Sequence, residues 1–169
     1  MNISYAIAVC SLGRVLVAGT ERGISAVYLG DKDSDLAAAL REEYPRAEIQ
    51  IIPEAKSKWV RAIVAHLDKS NSLLDLPTDV VATAFQRRVW EALRAIPLGA
   101  TRTYSEVARS IGQPAAIRAV AHACATNPAA IVVPCHRVIR MDGTLGGYRW
   151  GLERKKSLLE KERHAARPK

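Results

Sequence analysis

The sequence predicts two units, an α/β unit over residues 1–78 and a mainly helical unit with a helix-turn-helix outline over residues 79–169. Three observations support this prediction. Short β-rich runs separated by turn residues fill the amino-terminal stretch, amphipathic helical patterns follow Pro77, and the two parts differ in charge. A chain of 169 residues is long enough for one large domain or two small ones.

The positive charge lies almost entirely in the second part. Residues 1–78 hold 9 Lys/Arg and 10 Asp/Glu, whereas residues 79–169 hold 16 Lys/Arg and 7 Asp/Glu, so the net charges are −1 and +9. This asymmetry indicates that the second part contacts a polyanion such as nucleic acid. A basic surface that serves only solubility is the alternative.

The cysteine pattern excludes two kinds of site. Cys10, Cys124 and Cys135 are odd in number and widely spaced, without a C-x-x-C pair, so neither a disulfide framework nor a zinc site follows. We expect no metal, no cofactor and a reducing, cytoplasmic setting. The sequence shows neither a signal peptide nor a run of about 18 apolar residues, so we expect no membrane partner.

In the first part, β-rich runs and helical patterns alternate. ISYAIAVC, RVLVAGT and GISAVYLG are joined by SLG and ERG, which predicts an antiparallel meander. DSDLAAALREEY predicts a helix, AEIQIIP a strand, and SKWVRAIVAHLDK an amphipathic helix on which we interpret His66 as a surface residue. SNSLLDLPTD is interpreted as a linker. We find no catalytic constellation here.

Three helical patterns open the second part. TAFQRRVWEALRAIP places Phe85, Val89, Leu93 and Ile96 on one face. TYSEVARSIG begins with a Thr103–Glu106 capping box and ends at Gly112, and PAAIRAVAHACATN follows. Two short helices joined by a glycine-containing turn form the outline of a helix-turn-helix.

The third of these helices has two different faces. Ile117, Val120, Ala121 and Cys124 form an apolar stripe, which favours a packing role for Cys124. The other side carries Ala115, Arg118, Ala119 and His122. Alanines there leave little bulk between the backbone and an approaching partner. We interpret this side as a close-contact surface for nucleic acid, with Arg118 as its probe.

The last helical pattern, GLERKKSLLEKER, directs one carboxylate inward. At 100° per residue, Glu162 falls between the directions of Leu158 and Leu159, with Leu152 also on the inward side, and Glu160 points away. An inward carboxylate needs a partner because an unpaired buried charge is costly. A frayed helix end in solvent is the alternative. Before this helix, Asp142–Gly143 predicts a hairpin that could serve as a wing.

IVVPCHR, at residues 131–137, supplies a cysteine beside a histidine. A thiolate is a strong nucleophile, a histidine can take the thiol proton, and a carboxylate can orient that histidine. Cys135, His136 and Glu162 therefore form a candidate relay. Neighbours on an extended backbone point to opposite sides, so either a turn or a water molecule must connect Cys135 with His136. A core cysteine beside a surface histidine is the alternative.

Three stretches of the chain carry a family resemblance: TYSEVARSIGQPAAIRAVAHACATNP, PCHRVI and DGTLGGYRWGLERKKSLLEKE, at residues 103–128, 134–139 and 142–162. They resemble the O6-alkylguanine-DNA alkyltransferases, above all the carboxy-terminal half of the bacterial adaptive-response methyltransferases. The resemblance covers residues 79–163. It implies a ribonuclease H-like amino-terminal domain, more weakly marked, followed by a winged helix-turn-helix domain, and a monomer that acts on double-stranded DNA.

The resemblance also implies a reaction and a set of roles. Cys135 would take an alkyl group from O6 of guanine, and from O4 of thymine, irreversibly and once per molecule. His136 would act as base through water, and Glu162 would complete the relay. Asn127 would tie the helix-turn-helix to the active-site turn.

The remaining implied roles concern DNA. Arg118 would enter the duplex from the minor groove and replace the extruded base, with Ala115 and Ala119 beside it. Tyr104 would lie near the rotating phosphate and assist departure of guanine. Carbonyls of Cys135 and Val138, the Arg149 amide and Tyr148 would form the base pocket.

Rival functions stay open on the sequence. A helix-turn-helix regulator would function without Cys135, and a cysteine hydrolase would turn over without the basic half. A damage-sensing relative binds the lesion but lacks the nucleophilic cysteine, which this chain retains. Some family members carry small residues in place of Arg149 and Trp150, so we expect poor acceptance of bulky O6 substituents such as benzyl. The cysteine-rich module of the full adaptive-response proteins is absent from the sequence.

Overall fold

The computed structural model describes residues 1–69 and 74–167 and divides the chain into two compact units, Met1–Val80 and Val81–Lys169. This division falls two residues beyond the expected boundary. The predicted linker SNSLLDLPTD begins at residues 70–73, which lie outside the described residues. Within the described part of the chain, every helix is too short or too polar to cross a membrane.

The first unit is built on a four-stranded mixed sheet. Its strands are β1 (Asn2–Cys10), β2 (Gly13–Thr20), β3 (Gly23–Gly30) and β4 (Glu48–Ile51), in the order β3-β2-β1-β4. The first three pair antiparallel, which confirms the predicted meander, and β4 adds parallel to β1 at the edge. The strands β2 and β3 are buried along most of their length.

Two helices pack on this sheet, α1 (Asp33–Glu43) and α2 (Lys58–Lys69), both close to their predicted bounds. α1 buries Leu36 and Leu40. α2 buries Val60, Ile63 and Leu67, and the same face includes His66, which is only 6% exposed. The interpretation of His66 as a surface residue is therefore wrong, because it lies one helical turn from Ile63 on the side that meets the sheet.

Up to residue 167, the second unit has four α-helices, α3 (Ala84–Arg94), α4 (Tyr104–Ser110), α5 (Ile117–Ala125) and α6 (Leu152–Ala165). The helices α3, α4 and α5 pack against one another. The indole N–H of Trp90 donates to the Ala123 carbonyl at 3.0 Å and so joins α3 to α5. Two short strands, β5 (Arg102–Thr103) and β6 (Val138–Ile139), pair in parallel.

Capping residues fix where α3 and α4 begin. Thr103 and Glu106 form the predicted capping box at the start of α4. A second box, formed by Thr83 and Gln86, starts α3 and was not predicted. Both boxes satisfy backbone N–H groups that the first helical turn leaves unpaired. At the other end of α4, Gly112 adopts φ +74°, a conformation that glycine accepts without strain.

Two predicted inward positions lie at the surface because they are the first residues of their helices. α5 begins at Ile117, since residues 113–116 form a turn, and Ile117 is 40% exposed. Ala123 takes an inward place on α5 instead. Leu152 opens α6 and is 51% exposed, whereas Leu158 and Leu159 are buried as predicted.

The predicted hairpin at Asp142–Gly143 is wrong. The Arg140 amide donates to the Thr144 carbonyl at 2.9 Å and closes a tight turn, but residues 144–151 form no strand in the described chain. The carbonyls of Leu145 and Gly147 instead accept hydrogen bonds from the ammonium of Lys155. A charged side chain from α6 thus satisfies these backbone groups in place of a second strand.

Leu40→Ala tests the attachment of α1 to the sheet. Leu40 is fully buried, so its truncation leaves a cavity, and we expect the free energy of unfolding to fall by about 2–5 kcal/mol. Urea denaturation followed by circular dichroism measures this change. Val9→Ala, at a residue 67% exposed on β1, is the control and should cost less than about 1 kcal/mol. Equal losses would contradict the packing described for α1.

Candidate active site

Cys135 lies in a 3₁₀ turn, Cys135–Arg137, between Pro134 and β6. The Cys135 amide donates to the Val133 carbonyl at 2.8 Å, and the Arg137 amide donates to the Pro134 carbonyl at 3.0 Å. A turn therefore replaces the extended backbone that would send neighbouring side chains to opposite sides. Cys135 and His136 are both buried, at 7% and 1% exposed.

The segment leading to this turn is not a strand. Ile131 has φ +72°, which is unusual for a β-branched residue, and residues 130–132 form turns. Asn127 holds the segment, because its side-chain amide donates to the Val133 carbonyl at 2.9 Å and its side-chain oxygen accepts from the Ala129 amide at 2.9 Å. The same amide group lies 3.3 Å from Cys135 Sγ.

His136 is paired with the inward carboxylate of α6. Its Nε2 lies 2.6 Å from Glu162 Oε1, and Glu162 is 3% exposed. Burial acts to raise the pKa of Glu162, but the hydrogen bonds and positive charges of His136 and Arg137 outweigh it and lower this pKa to about 2. An ionised carboxylate can only accept, so Nε2 carries the proton and Nδ1 of a neutral His136 is the basic atom.

Arg137 is a partner of Glu162 that the sequence analysis missed. Its Nε and Nη2 donate to the two carboxylate oxygens at 2.9 and 3.0 Å, and its Nη1 donates to the Ile96 carbonyl at 2.7 Å. This bidentate contact fixes the orientation of the carboxylate that faces His136. In the sequence, the only indication of this role was the position of Arg137 directly after Cys135 and His136.

Lys155 was also missed. It is fully buried, and its ammonium donates to the carbonyls of Val138, Leu145 and Gly147 at 2.6, 2.5 and 3.0 Å. Burial lowers the pKa of Lys155 to about 8. The helical period indicated that Lys155 points inward. It lies three positions before Leu158 and seven before Glu162, and so shares their face.

A cavity of about 350 Å³ opens beside the cysteine. Its volume lies near the lower end of the range of about 300–1,000 Å³ for small-molecule sites. It is lined by Tyr104, Ala121, Cys124, Ala125, Cys135, Gly147, Tyr148 and Arg149. Cys124, interpreted from the sequence as a packing residue, is buried and also lines this cavity.

Several polar groups around the cavity are perturbed by burial. Burial raises the pKa of Tyr104 to about 12 and that of Tyr148 well above its usual value, so both phenols stay protonated. Among the described residues, neither the Tyr148 hydroxyl nor His136 Nδ1 has a hydrogen-bond partner. Gly146, at φ +70°, approaches the Tyr104 ring so closely that a Cβ there would lie 2.9 Å from its hydroxyl.

The thiol of Cys135 is not ionised by its surroundings alone. Burial raises its pKa, although the hydrogen bond from Asn127 and the charge of Lys155 act in the opposite direction. A protonated thiol is a weak nucleophile. The site therefore requires a base, and the basic atom of His136 is the candidate on the adjacent residue.

The remaining predicted site residues lie at α5 and at the cavity. Arg118 and Ala119 are exposed on α5, and Ala115 is exposed just before it. Arg149 lines the cavity, with its guanidinium carbon 4.6 Å from the centre of the Trp150 ring. The Val138 carbonyl accepts from Lys155, so a base amine would have to share it.

Residues 84–164 match the family described as 6-O-methylguanine DNA methyltransferase, DNA binding domain. The chain is 50% identical over 162 residues to the Escherichia coli protein called bifunctional transcriptional activator/DNA repair enzyme Ada, covering 96% of this chain and 46% of that protein. A Salmonella typhimurium relative, regulatory protein ada, is covered to the same extent at 47% identity. The chain thus spans about half the length of these relatives.

Other relatives are matched over most of their length. The inducible methylated-DNA–protein-cysteine methyltransferase of Bacillus subtilis is 36% identical, with 89% of this chain and 84% of that protein covered. The crystal structure of Mycobacterium tuberculosis O6-methylguanine methyltransferase superimposes with a TM-score of 0.81 at 34% identity, covering 99% of this chain and 96% of that chain. The chain belongs to the methylated-DNA–protein-cysteine methyltransferase family.

Proposed function

We propose that this protein repairs alkylated DNA by moving a methyl or other alkyl group from O6 of guanine, and from O4 of thymine, to its own Cys135. The transfer is irreversible and happens once per molecule. One observation carries the proposal: a buried thiol lines a base-sized cavity, and the adjacent histidine is paired with a buried, ionised carboxylate. The family membership of the chain supports the same reaction.

The first step is ionisation of the thiol. His136 holds its proton on Nε2, toward Glu162, which leaves Nδ1 free to take the Cys135 proton through a water molecule. The imidazolium that forms is stabilised by the carboxylate 2.6 Å away. Glu162 and Arg137 act on His136 as positioning residues and do not touch the substrate.

The second step is displacement at carbon. Cys135 Sγ forms a bond to the alkyl carbon while the bond from that carbon to O6 breaks, and the electron pair leaves with guanine. The departing base needs a proton or a hydrogen bond. Tyr104 lines the cavity and keeps its phenolic proton, so it is suited to donate to the departing base. The thioether product is stable, so the protein is consumed.

Cys135 can reach the alkylated base only after that base has left the stack of the double-stranded DNA. Chemistry on a base edge requires extrusion of the nucleotide, at a cost of a few kcal/mol. Arg118 stands on the exposed side of α5 between small residues, Ala115 and Ala119, which suits insertion from the minor groove into the gap. The +9 charge of residues 79–169 provides sequence-independent attraction to phosphates.

The finer domain assignments belong to the same proposal. The meander of β1 to β3 with a parallel β4 suits a ribonuclease H-like unit, and α4 and α5 suit a helix-turn-helix. A wing would have to be formed by the turn at residues 140–144 without a second strand. Three free cysteines suit a reducing setting, and we propose a cytoplasmic monomer that acts without metal or cofactor.

Exposure to a duplex that contains O6-methylguanine should add one methyl group to Cys135 and then stop, because the thioether cannot be displaced. Intact and peptide mass spectrometry measures the number and position of methyl groups. Cys135→Ser should abolish the transfer, whereas Cys10→Ser, in the first unit, should still be methylated at Cys135. Release of more than one equivalent of repaired DNA per protein would contradict the proposal.

Glu162→Gln should slow methyl transfer by roughly 10-fold or more, because a neutral amide stabilises the imidazolium less well than a carboxylate. Single-turnover kinetics measure the rate, and fluorescence anisotropy measures DNA affinity, which should change little. Glu160→Gln, two positions away on the exposed side of α6, is the matched control. A Glu162→Gln rate equal to that of the control would remove Glu162 from the relay.

Arg118→Ala should slow transfer from duplex DNA by at least about 10-fold more than transfer from the free modified base, because only duplex substrate leaves a gap in the stack. Rates with both substrates are compared for each variant. Arg109→Ala, which removes an exposed arginine of α4, controls for the loss of one positive charge. Equal losses with duplex and free base would argue against insertion of Arg118.

A further inference from the structure

Two thiols line the same cavity. Cys135 and Cys124 are each 7% exposed, each is free of a disulfide, and each contributes to the lining of the 350 Å³ space. The proposed repair reaction uses only Cys135. Cys124 is left as a second buried thiol in the lining of the cavity, which the proposed repair reaction does not use.

Asn127 fixes the two cysteines with respect to each other. Its backbone amide donates to the Cys124 carbonyl at 3.3 Å, and its side-chain amide contacts Cys135 Sγ at 3.3 Å. Asn127 is itself 2% exposed. Cys124 lies in the last turn of α5 and Cys135 in the 3₁₀ turn, so one buried residue links both backbone segments.

Lys155 places a positive charge next to residues that line the cavity. Its ammonium contacts the Gly147 carbonyl, which belongs to a lining residue, and lies 6.0 Å from the centre of the Tyr104 ring. Burial raises the pKa of both cysteines, and the positive charge of Lys155 acts in the opposite direction. The Tyr148 hydroxyl, also in the lining, has no partner among the described residues and can bind a polar ligand group.

We propose that Cys124 is a second alkyl acceptor, which captures the far end of a bifunctional alkyl group after Cys135 has taken its near end. The substrate class is an O6-haloalkyl lesion, with a halide at the end of a short carbon chain. The product is a protein in which one alkylene chain joins the two sulfurs. This inference rests on the proposed function, because Cys135 must first remove the group from guanine.

The reaction balances in two displacements. In the first, Cys135 Sγ bonds to the carbon next to O6, that carbon–oxygen bond breaks, and guanine leaves with its electron pair. In the second, Cys124 Sγ bonds to the terminal carbon, the carbon–halogen bond breaks, halide leaves, and the thiol proton of Cys124 passes to buffer. Neither step changes an oxidation state, so no oxidant or reductant is needed.

Proximity is the physical reason to expect the second displacement. Once the chain is attached to Cys135, its reactive end is confined to a small cavity that also holds Cys124, and tethered reactants react far faster than separate ones. Capture by Cys124 would prevent the reactive end from alkylating DNA or water. A cavity with one thiol would leave that end exposed.

The test uses the full chain and a simple probe, dibromopropane with one bromine at each end. Wild-type protein should form one product that contains a single propylene bridge and no bromine. Peptide mapping should locate the bridge between Cys124 and Cys135, and it should resist thiol reductants, as a thioether does. In Cys124→Ser, the propylene chain should remain on Cys135 and end in bromide or hydroxyl. Cys10→Ser should form the bridge like the wild type.

A wild-type product that carries an open bromopropyl or hydroxypropyl chain on Cys135, with the Cys124 thiol still titratable, would overturn the inference. This readout needs no variant and so does not depend on the folding of Cys124→Ser. Methyl transfer from an O6-methylguanine duplex is measured on the same wild-type preparation. Methyl transfer without bridging refutes only the role of Cys124. Bridging without methyl transfer refutes the proposed repair function, and the role of Cys124 in repair falls with it.

Discussion

The candidate active site depends on the interactions of one buried group, the carboxylate of Glu162. It is ionised and almost excluded from solvent, and it is bound by His136 and by Nε and Nη2 of Arg137. Through these contacts α6 is joined to the turn that carries Cys135, and Arg137 extends the link to the Ile96 carbonyl beyond the end of α3. A buried charge of this kind is tolerated only while it is paired, so loss of Glu162 itself would leave the buried guanidinium of Arg137 without its carboxylate.

The same carboxylate resolves a conflict in the chemistry of the cysteine. Burial protects Cys135 from bulk solvent but also raises its pKa, which suppresses the thiolate that the reaction needs. A permanently ionised cysteine would be vulnerable to oxidation and to other electrophiles. In the proposed mechanism the base lies on the next residue and its counter-charge lies on α6, so the thiol can stay protonated until a substrate is present.

Lys155 shows how one side chain can replace regular secondary structure. It satisfies three carbonyls, two of them in the segment where the sequence predicts a hairpin strand. That segment therefore has no strand partner among the described residues, and it lines the cavity beside Cys135 through Gly147 and Tyr148. The cost is a buried ammonium, whose pKa burial lowers to about 8.

Local patterns in the sequence determined the strands of the meander, the bounds of most helices, the Thr103–Glu106 box and the inward direction of Glu162, because each depends on neighbours within one or two helical turns or on strand alternation. Only the tertiary structure decided that His66 is buried, that Arg137 binds the carboxylate of Glu162, and that Cys124 lines the same cavity as Cys135. These facts depend on contacts between residues far apart in the chain, and periodicity within a single element carries no information about which partner that element will meet.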